Sequence, residues 1–563
     1  MYLQEEKIQA DDLLLLIRNK NINEAFIKAL ELNKLYPDNS LINNFLGSHY
    51  LNEGNLPNSE KYLTAAYSKN TDNLDIHYNL AVLSKNQFKY LVSELHLKKC
   101  FELSNDDDYL FLLSKLYFEK LKFFDKSIEI LSNLLKKDTK FDKKLIYHLL
   151  ALNYEYNFQF QEAQEYHNKA RSLANTHEEE INFDIVLARY FRKVGNYSEA
   201  EEILQKLKKK YPKNSKIFFN SGIFYRYIGD YDKSKQDFLY TINLESKDKS
   251  LKDRSVFNYG CTLILNKELN SGWKNYTRRE LNPLESSFKN KIMSIKELVD
   301  KSLLKKEDRL LIWTDQGYGD NIFFFRFLKK INRNNLFFIS KKNDFNYFQK
   351  NNLGIKIIQR EELLINKFQF NYQINISNIP AVFNFDVPAN DELINLNVND
   401  VSKAKSLLSN NSKPNIGIAW SGNPEYEQDY SRSILFDTFK KIIDDQQFNF
   451  YCLQKDIQPR DIKSFELSGV KYLGNLDFYD TACFIKNLDL VISTDTSVVH
   501  LCGSLNLNTV LLLSKFPDWR WSEKNQTGQT LWYETVKFIK QSIFGDWNSV
   551  FHLVNKELQQ LKK

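Results

Sequence analysis

Four short segments in the second half of the 563-residue chain stand out just after β-like runs, where the chemistry of an α/β fold is expected. Asp315-Gln-Gly-Tyr-Gly-Asp320 follows an apolar run, Arg309–Trp313, and opens a helix-like stretch. Gly317 and Gly319 permit a tight turn with close backbone approach. Asp320 then stands near the mouth of any cleft beyond the strand, with a helix N-cap as the plainer reading. Trp420-Ser-Gly-Asn-Pro424, with Ser431-Arg432-Ser433 after it, joins a strand exit, a small-residue turn at Gly422 and Asn423, and a cation. Arg432 equally reads as a surface partner of Asp429. Ser493-Thr-Asp-Thr-Ser-Val-Val-His500 runs from a strand end into a helix start, where free N–H groups and a partial positive charge suit phosphate. Thr496 and Ser497 add hydroxyl donors, Asp495 accepts from a hydroxyl, and His500 lies one turn on. The plainer reading of that segment is an N-cap and a buried core histidine. Phe516-Pro-Asp-Trp-Arg-Trp521 is an aromatic-basic loop containing Trp519 and Arg520, with ordinary packing as the alternative.

These segments need strands and helices to aim them. Short β-like runs recur at Leu336–Ser340, Ile355–Ile358, Asn415–Trp420, Phe448–Leu453, Leu488–Ser493 and Thr509–Leu513. Helix-like segments at Asn321–Ile331, Ile434–Asp444, Tyr479–Lys486 and Ser497–Leu505 separate most of them. Alternating β and α elements predict parallel sheets. The length suffices for two Rossmann-like lobes, 307–412 and 413–563, after a Lys-rich linker over 281–306. Ligands in such sheets bind beyond the carboxyl ends of the strands, where the four segments lie.

The first half has a different period. An aromatic or aliphatic anchor is followed three residues later by a small side chain at Ile22/Ala25, Leu56/Ser59, Tyr90/Ser93, Phe124/Ser127, Phe160/Ala163, Tyr197/Ala200 and Tyr231/Ser234. The anchors are spaced 34, 34, 34, 36, 37 and 34 residues apart. Nine residues before the later anchors lie Gly47, Ala81, Lys115, Ala151, Ala188 and Gly222, small except for Lys115. The pattern predicts antiparallel helix pairs whose close crossings admit only Gly, Ala or Ser. Gly195-Asn196 and Gly229-Asp230 mark turns within pairs, and Tyr36-Pro37 and Tyr211-Pro212 mark turns between them. Leu269, Gly272 and Gly260 fit a degenerate eighth unit. The period is that of the tetratricopeptide repeat, a solenoid over 1–280 with a long concave surface for peptide or protein. An inner-face asparagine ladder is broken: the positions read Phe45, Asn79, Leu113, Leu149, Val186, Asn220 and Asn258. Asp106-Asp107-Asp108 falls in an inter-repeat turn and reads as a solvated turn rather than a metal cluster.

Composition narrows the function. A hydrophobic fraction of 42% with 26% charged residues excludes wholesale disorder, and 17 Gly and 10 Pro point to a largely helical chain. A net charge of +7 without a basic stripe argues against nucleic acid. Five scattered cysteines form no CxxC pair, so neither a disulfide framework nor a zinc site is expected. The start MYLQEEK is acidic where a secretory signal is basic, and no apolar run approaches the ~18 residues of a membrane span. A cytoplasmic location is the expectation.

Taken in order, RLLIWTDQGYGDNIFFFRFL, IGIAWSGNPEYEQDYSRSI, FYCLQ, DFYDTACFIKNLDLVISTDTSVVHLCGSL and FPDWRW resemble bacterial tetratricopeptide proteins that carry a glycosyltransferase domain. That domain is similar to the ADP-heptose:lipopolysaccharide heptosyltransferase family, and more distantly to O-GlcNAc transferase in architecture. The joint Gly272–Glu280 matches as well. The resemblance implies a two-lobed GT-B fold whose C-terminal lobe holds a nucleotide sugar. It implies Asp320 as catalytic base, and Asp495, Thr496, Ser497 and His500 at the diphosphate. Arg432, Gln454, Trp519 and Arg520 join them on the nucleotide-sugar side. Gly317, Gly319, Gly422, Asn423, Asp480 and Thr481 line the cleft. The family's Trp-Tyr-Pro reads Trp532-Tyr533-Glu534 here, and Ser522–Thr530 and the stretch 340–400 match weakly. No DxD stands at a strand end, so the expected enzyme is an inverting, metal-independent glycosyltransferase without a cofactor. Its donor is a nucleotide sugar and its acceptor a protein or glycan held by the repeats. The alternative is a tetratricopeptide scaffold with a degenerate nucleotide-binding transferase domain. A nucleotide-dependent oxidoreductase is disfavoured, because GYGD lacks the full GxGxxG.

Overall fold

The computed structural model describes residues 12–137, 140–244, 248–281, 283–314, 317–365, 369–390, 392–424, 426, 429–443, 447–474, 476–524 and 528–561. Asp315 and Gln316 of the turn motif lie outside the described residues. The chain divides into two compact units, Met1–Ala174 and Asn175–Lys563.

The first unit is a helical solenoid. The second helix of each pair starts on its anchor, giving Ile22–Leu35, Leu56–Lys69, Tyr90–Ser104, Phe124–Lys136 and Phe160–Ser172. The small residue one turn in is fully buried each time, from Ala25 to Ala163. Where it is serine, the hydroxyl donates to a carbonyl of the preceding helix. Ser59 reaches Gly47 at 2.9 Å, Ser93 reaches Ala81 at 2.8 Å and Ser127 reaches Ser114 at 2.9 Å. A buried hydroxyl thus finds an acceptor without widening the crossing. The crossing residue of the fourth repeat is Ser114, not Lys115, which is only half-buried. A π-helical turn, Tyr117–Leu121, adds a residue there and puts the small position ten rather than nine residues before the anchor Phe124. The acidic turn behaves as expected. Asp106 caps the helix Asp107–Leu116, and Lys137 and Lys140 pair with the three carboxylates. The expected asparagine positions form no ladder, although Asn79 donates to Asn44 at 2.9 Å.

Each turn inside a pair holds one residue in the left-handed region, two before the anchor. Across both units these residues are Lys20, Gly54, Phe88, Lys122, Phe158, Gly195, Gly229 and Lys267.

The second unit contains the last three helix pairs and two parallel sheets. The pairs are His177–Val194 with Tyr197–Lys210, Ser215–Ile228 with Tyr231–Asn243, and Lys249–Leu265 with Leu269–Tyr276. In the last of them Gly260 and Gly272 face each other; a Cβ on Gly260 would meet the Gly272 carbonyl at 2.8 Å. Residues 281–306 carry the helix Pro283–Ile292, whose Phe288 and Ile292 pack on the first sheet, and the strand β1 (Lys296–Glu297).

The first sheet adds β2 (Leu310–Trp313), β3 (Leu336–Ser340), β4 (Lys356–Gln359) and β5 (Tyr372–Asn375), in the order β1-β5-β2-β3-β4. The second has β6 (Asn415–Ala419), β7 (Asn449–Cys452), β8 (Lys471–Tyr472), β9 (Leu490–Thr494), β10 (Thr509–Leu513) and β11 (Val536–Lys540), in the order β11-β10-β9-β6-β7-β8. All pairings are parallel. The central strands β2, β3, β9 and β10 are buried throughout, as parallel strands covered on both faces must be. β1, β5, β8 and β11 are not among the runs the sequence marks. β8 and β11 include exposed lysines at sheet edges, and β1 has only two residues.

One apolar core runs from the first sheet through Phe323, Phe324, Val498 and Trp532 to the second, and includes Trp273 and Tyr276 of the last repeat. Each sheet has a separate core on its far face; the second sheet's is closed by the helix Trp547–Gln560. No helix among the described residues is long and apolar enough to cross a membrane. The five cysteines are buried thiols.

Candidate functional site

In each sheet the strand order reverses at one place: between β2 and β5, and between β6 and β9. Such reversals leave a crevice at the strands' carboxyl ends. Three of the four motif segments emerge there, and the aromatic-basic loop follows β10 beside them.

At the exit of β6, Gln454 accepts from the N–H groups of Trp420 (2.6 Å) and Ser421 (2.8 Å) and donates to the Ser421 hydroxyl (3.0 Å). Gln454 is a buried strap between β6 and β7 and holds the turn that follows. The Gly422 N–H donates to Ser433 Oγ at 2.9 Å, and that hydroxyl donates to Asp429 at 2.8 Å. Arg432 donates to Asp429 Oδ1 (3.0 Å) and to the Asp495 carbonyl (2.9 Å). A Cβ on Gly422 would lie 2.5 Å from Arg432 Nη2, so only glycine lets the guanidinium close on this turn. Arg432 therefore pairs with Asp429 and also bridges the exits of β6 and β9. Burial works against its charge, yet Asp495 and Asp429 hold its pKa above the ordinary value. Asn423 is exposed on the same turn.

Beyond β9, Thr496 is extended (φ −138°, ψ 171°) and precedes the helix Ser497–Ser504. The Thr496 side chain does not cap this helix; its hydroxyl is bonded instead to Ser493 Oγ at 3.0 Å. The first turn thus offers N–H groups that its own cap does not take. Burial pushes the Asp495 carboxyl up, partly offset by Arg432. His500 is buried, stacks on Trp521 with centroids 4.9 Å apart, and shares a 2.8 Å hydrogen bond with the Tyr533 hydroxyl. Burial, then Arg520, Arg326 and Arg432, drive its pKa well below 6.5, so the ring is neutral at pH 7. It supplies no positive charge.

The first sheet presents the helix Tyr318–Phe325 against the helix Ser497–Ser504. A Cβ on Gly319 would lie 2.7 Å from His500 Cδ2 and 3.3 Å from Ser497 Cα. Asp320 is one residue further. Its carboxylate curls over the helix start, where a Cβ on Gly317 would come within 2.9 Å of Oδ2, and its Oδ1 accepts from Arg520 Nε at 2.7 Å. Arg520 also donates to Asp518 Oδ1 (2.6 Å) and to the Tyr276 hydroxyl (3.4 Å). Burial opposes its charge, but Asp320 and Asp518 raise its pKa well above the ordinary value. The side chains of Asp320 and Arg520 are 15% and 17% exposed, so the pair is largely withdrawn from water.

Asp320, Arg432, Asp495, Thr496, Ser497 and Arg520 are thus assembled around two facing helix starts. Trp519 is core: it packs edge-on against Trp273 and Tyr276. Asp480 is exposed and Thr481 half-buried, at the start of the helix Phe478–Ile485. The Thr481 hydroxyl donates to the Asp477 carbonyl at 2.7 Å, and partial desolvation by its neighbours, with the charges of Asp477 and Asp400, raises the pKa of the Asp480 carboxyl. Sequence reasoning named Asp429 as a partner of Arg432 but passed over Asp518, Tyr276 and Tyr533. Tyr533 stands in the Trp532-Tyr533-Glu534 triplet, which had marked the place without its role; the others form pairs that spacing does not reveal.

No protein-family model matches the chain, and no curated protein does. Solved structures similar to it include tetratricopeptide repeat proteins. One from Parabacteroides merdae is 14% identical and covers 46% of this chain and 99% of its own, with a TM-score of 0.33. The C-terminal part of a repeat protein from Cytophaga hutchinsonii is 15% identical, covers 43% and 98%, and scores 0.34. PilF of Pseudomonas aeruginosa is 12% identical, covers 37% and 93%, and scores 0.28. At such scores the repeat assignment rests on the chain's own helix pairs: the protein is a tetratricopeptide-type solenoid joined to an α/β region of two parallel sheets.

Proposed function

We propose that the α/β region is a GT-B-type, inverting glycosyltransferase that works without a metal. The observation that carries this reading is the opposition of Asp320, on one sheet's helix start, to the helix start at Thr496–Val498 on the other, which Thr496 does not cap. An acceptor hydroxyl attacks the anomeric carbon of a nucleotide sugar. The C–O bond to the diphosphate breaks as the new glycosidic bond forms, and Asp320 takes the acceptor proton. Charge developing on the leaving nucleoside diphosphate meets amide N–H groups, Arg432 and Arg520. One helix end contributes only ~0.3–2 kcal/mol, so the guanidinium groups are needed.

Arg520 ties the two halves of the reaction together. A carboxylate bound to a guanidinium is a poor base. A diphosphate that draws Arg520 towards itself weakens the hold on Asp320, so that donor binding prepares the base.

The test is Asp320→Asn, with nucleoside diphosphate release followed from UDP-, GDP- and ADP-sugars. A fall of ~10²–10⁴ in kcat is expected, the usual contribution of general-base catalysis. Unchanged turnover in a folded variant removes Asp320 from the role. A second reading is a non-catalytic scaffold in which the solenoid binds protein. It is favoured by the double neutralisation of Arg520 by Asp320 and Asp518, which has the form of a permanent structural ion pair. Binding of nucleotide with no turnover on any acceptor selects it.

A further inference from the structure

Tyr426 stands in the loop between β6 and the helix Asp429–Arg432, and the anion site described above does not use it. Its backbone is fixed on both sides. The N–H donates to the Asn423 carbonyl at 3.0 Å, and the carbonyl accepts from the Asp429 N–H at 2.9 Å. Two consecutive turns thus set the residue in place before any ligand arrives. The ring lies against Arg432, whose guanidinium carbon is 4.7 Å from its centroid. Tyr426 is nevertheless 42% exposed. The charges that act on its phenol are those of Asp518, Arg520, Asp495 and Arg432, so the exits of β6, β9 and β10 converge on it. Partial desolvation by its neighbours, with the carboxylates of Asp518 and Asp495, raises its pKa, and the phenol is neutral at pH 7. It does not repel a phosphate.

A guanidinium needs only one face of a ring, and the contact is weak where water reaches it. The rest of the Tyr426 ring is a flat π surface in water at the edge of an anion site. A ligand that fills both places carries a phosphate and a planar group in one molecule. In a nucleotide sugar the transferred sugar must face Asp320, on the helix Tyr318–Phe325 of the first sheet, for the acceptor proton to be taken there. The base is the part left for a ring on the second sheet, and it is the part with a π-face.

We propose that Tyr426 is the stacking platform for the nucleobase of the donor, with Arg432 and the helix start at Ser497 binding the diphosphate beside it. This rests on the transferase reading and adds to it the residue that grips the base. Every base has a π-face, so Tyr426 supplies affinity without choosing between nucleotides. The turn hydrogen bonds at Asn423 and Asp429 hold the ring ready, which spares the ligand the cost of ordering it.

Calorimetric titration of the full-length protein with UDP, GDP, ADP and inorganic pyrophosphate tests it, because pyrophosphate carries the charge without the base. Tyr426→Ala is expected to weaken each nucleoside diphosphate that binds by about 5- to 100-fold and to leave pyrophosphate unchanged. Tyr426→Phe keeps the π-face and is expected to bind as the wild type does. Equal losses for pyrophosphate and nucleotides would mean that the ring serves only to hold Arg432, and they overturn the proposal. Unchanged nucleotide affinity in Tyr426→Ala overturns it too, as does a loss confined to nucleotide sugars. All three results leave the transferase reading intact. A wild-type protein that binds none of the four ligands overturns both.

Discussion

Replacing Gly319 by alanine tests the meeting of the two helix starts by the sign of its effect. Gly319 is the second residue of the helix Tyr318–Phe325, and its φ is not in the left-handed region. Alanine is therefore compatible with the backbone, and inside a helix it is favoured over glycine by up to ~1 kcal/mol. Without a neighbour, the substitution stabilises. The added Cβ would, however, lie 2.7 Å from His500 Cδ2 and 3.3 Å from Ser497 Cα. The ring cannot easily give way, because Tyr533 holds Nδ1 and Trp521 is stacked on its face. Ser497 Cα is backbone and moves only with its helix. Overpacking of this kind costs ~1–3 kcal/mol. Set against the helix preference, a net loss of about 1–2 kcal/mol is expected. In a unit of this size that lowers Tm by roughly 1–3 °C. Differential scanning fluorimetry of the wild type and Gly319→Ala in parallel measures it. An unchanged or raised Tm refutes the close approach of the two helices, and with it the opposition of Asp320 to the anion site.

Two further expectations concern backbone and protonation. Gly195 (φ +90°) and Gly229 (φ +84°) have open space where a Cβ would go, so Gly195→Ala and Gly229→Ala probe conformation alone. Each is expected to cost ~1 kcal/mol, with asparagine milder; urea midpoints equal to wild type contradict this. Burial pushes the Asp344 carboxyl up to about 7, although Asn321 donates to it at 3.3 Å. The native state then keeps a proton that the unfolded chain has released, so the stability contributed below pH ~4 is lost as pH rises towards 7. Asp344→Asn is expected to flatten the decline in urea midpoint between those values, and an unaltered slope speaks against it.

Much of this architecture is legible in the residues. The anchors mark helix starts to the residue, because a close crossing tolerates few side chains and the same requirement recurs in every repeat. Buried strands such as Leu336–Ser340 declare themselves as apolar runs. Edge strands such as Val536–Lys540 do not, since half their side chains meet water. Motif spacing brought Asp320, Arg432 and Thr496 to strand ends, and the strand order collected them. It could not pair Asp320 with Arg520, 200 residues away, or show that His500 is neutral, because both depend on packing between elements. Nor did the scarcity of glycine mean few turns: Phe88, Phe158 and three lysines occupy the conformation glycine usually takes.

That substitution is unevenly spread. Among the described residues of Met1–Ala174, four of the five hairpin bends, at Lys20, Phe88, Lys122 and Phe158, use a residue other than glycine, whereas among those of Asn175–Lys563 two of the three bends are glycine. Each such bend taxes its own repeat by ~1–2 kcal/mol, and a solenoid's parts are bonded only to their neighbours. The repeats of Met1–Ala174 therefore carry more strained bends than those of Asn175–Lys563, and their helix pairs are expected to come apart first on heating.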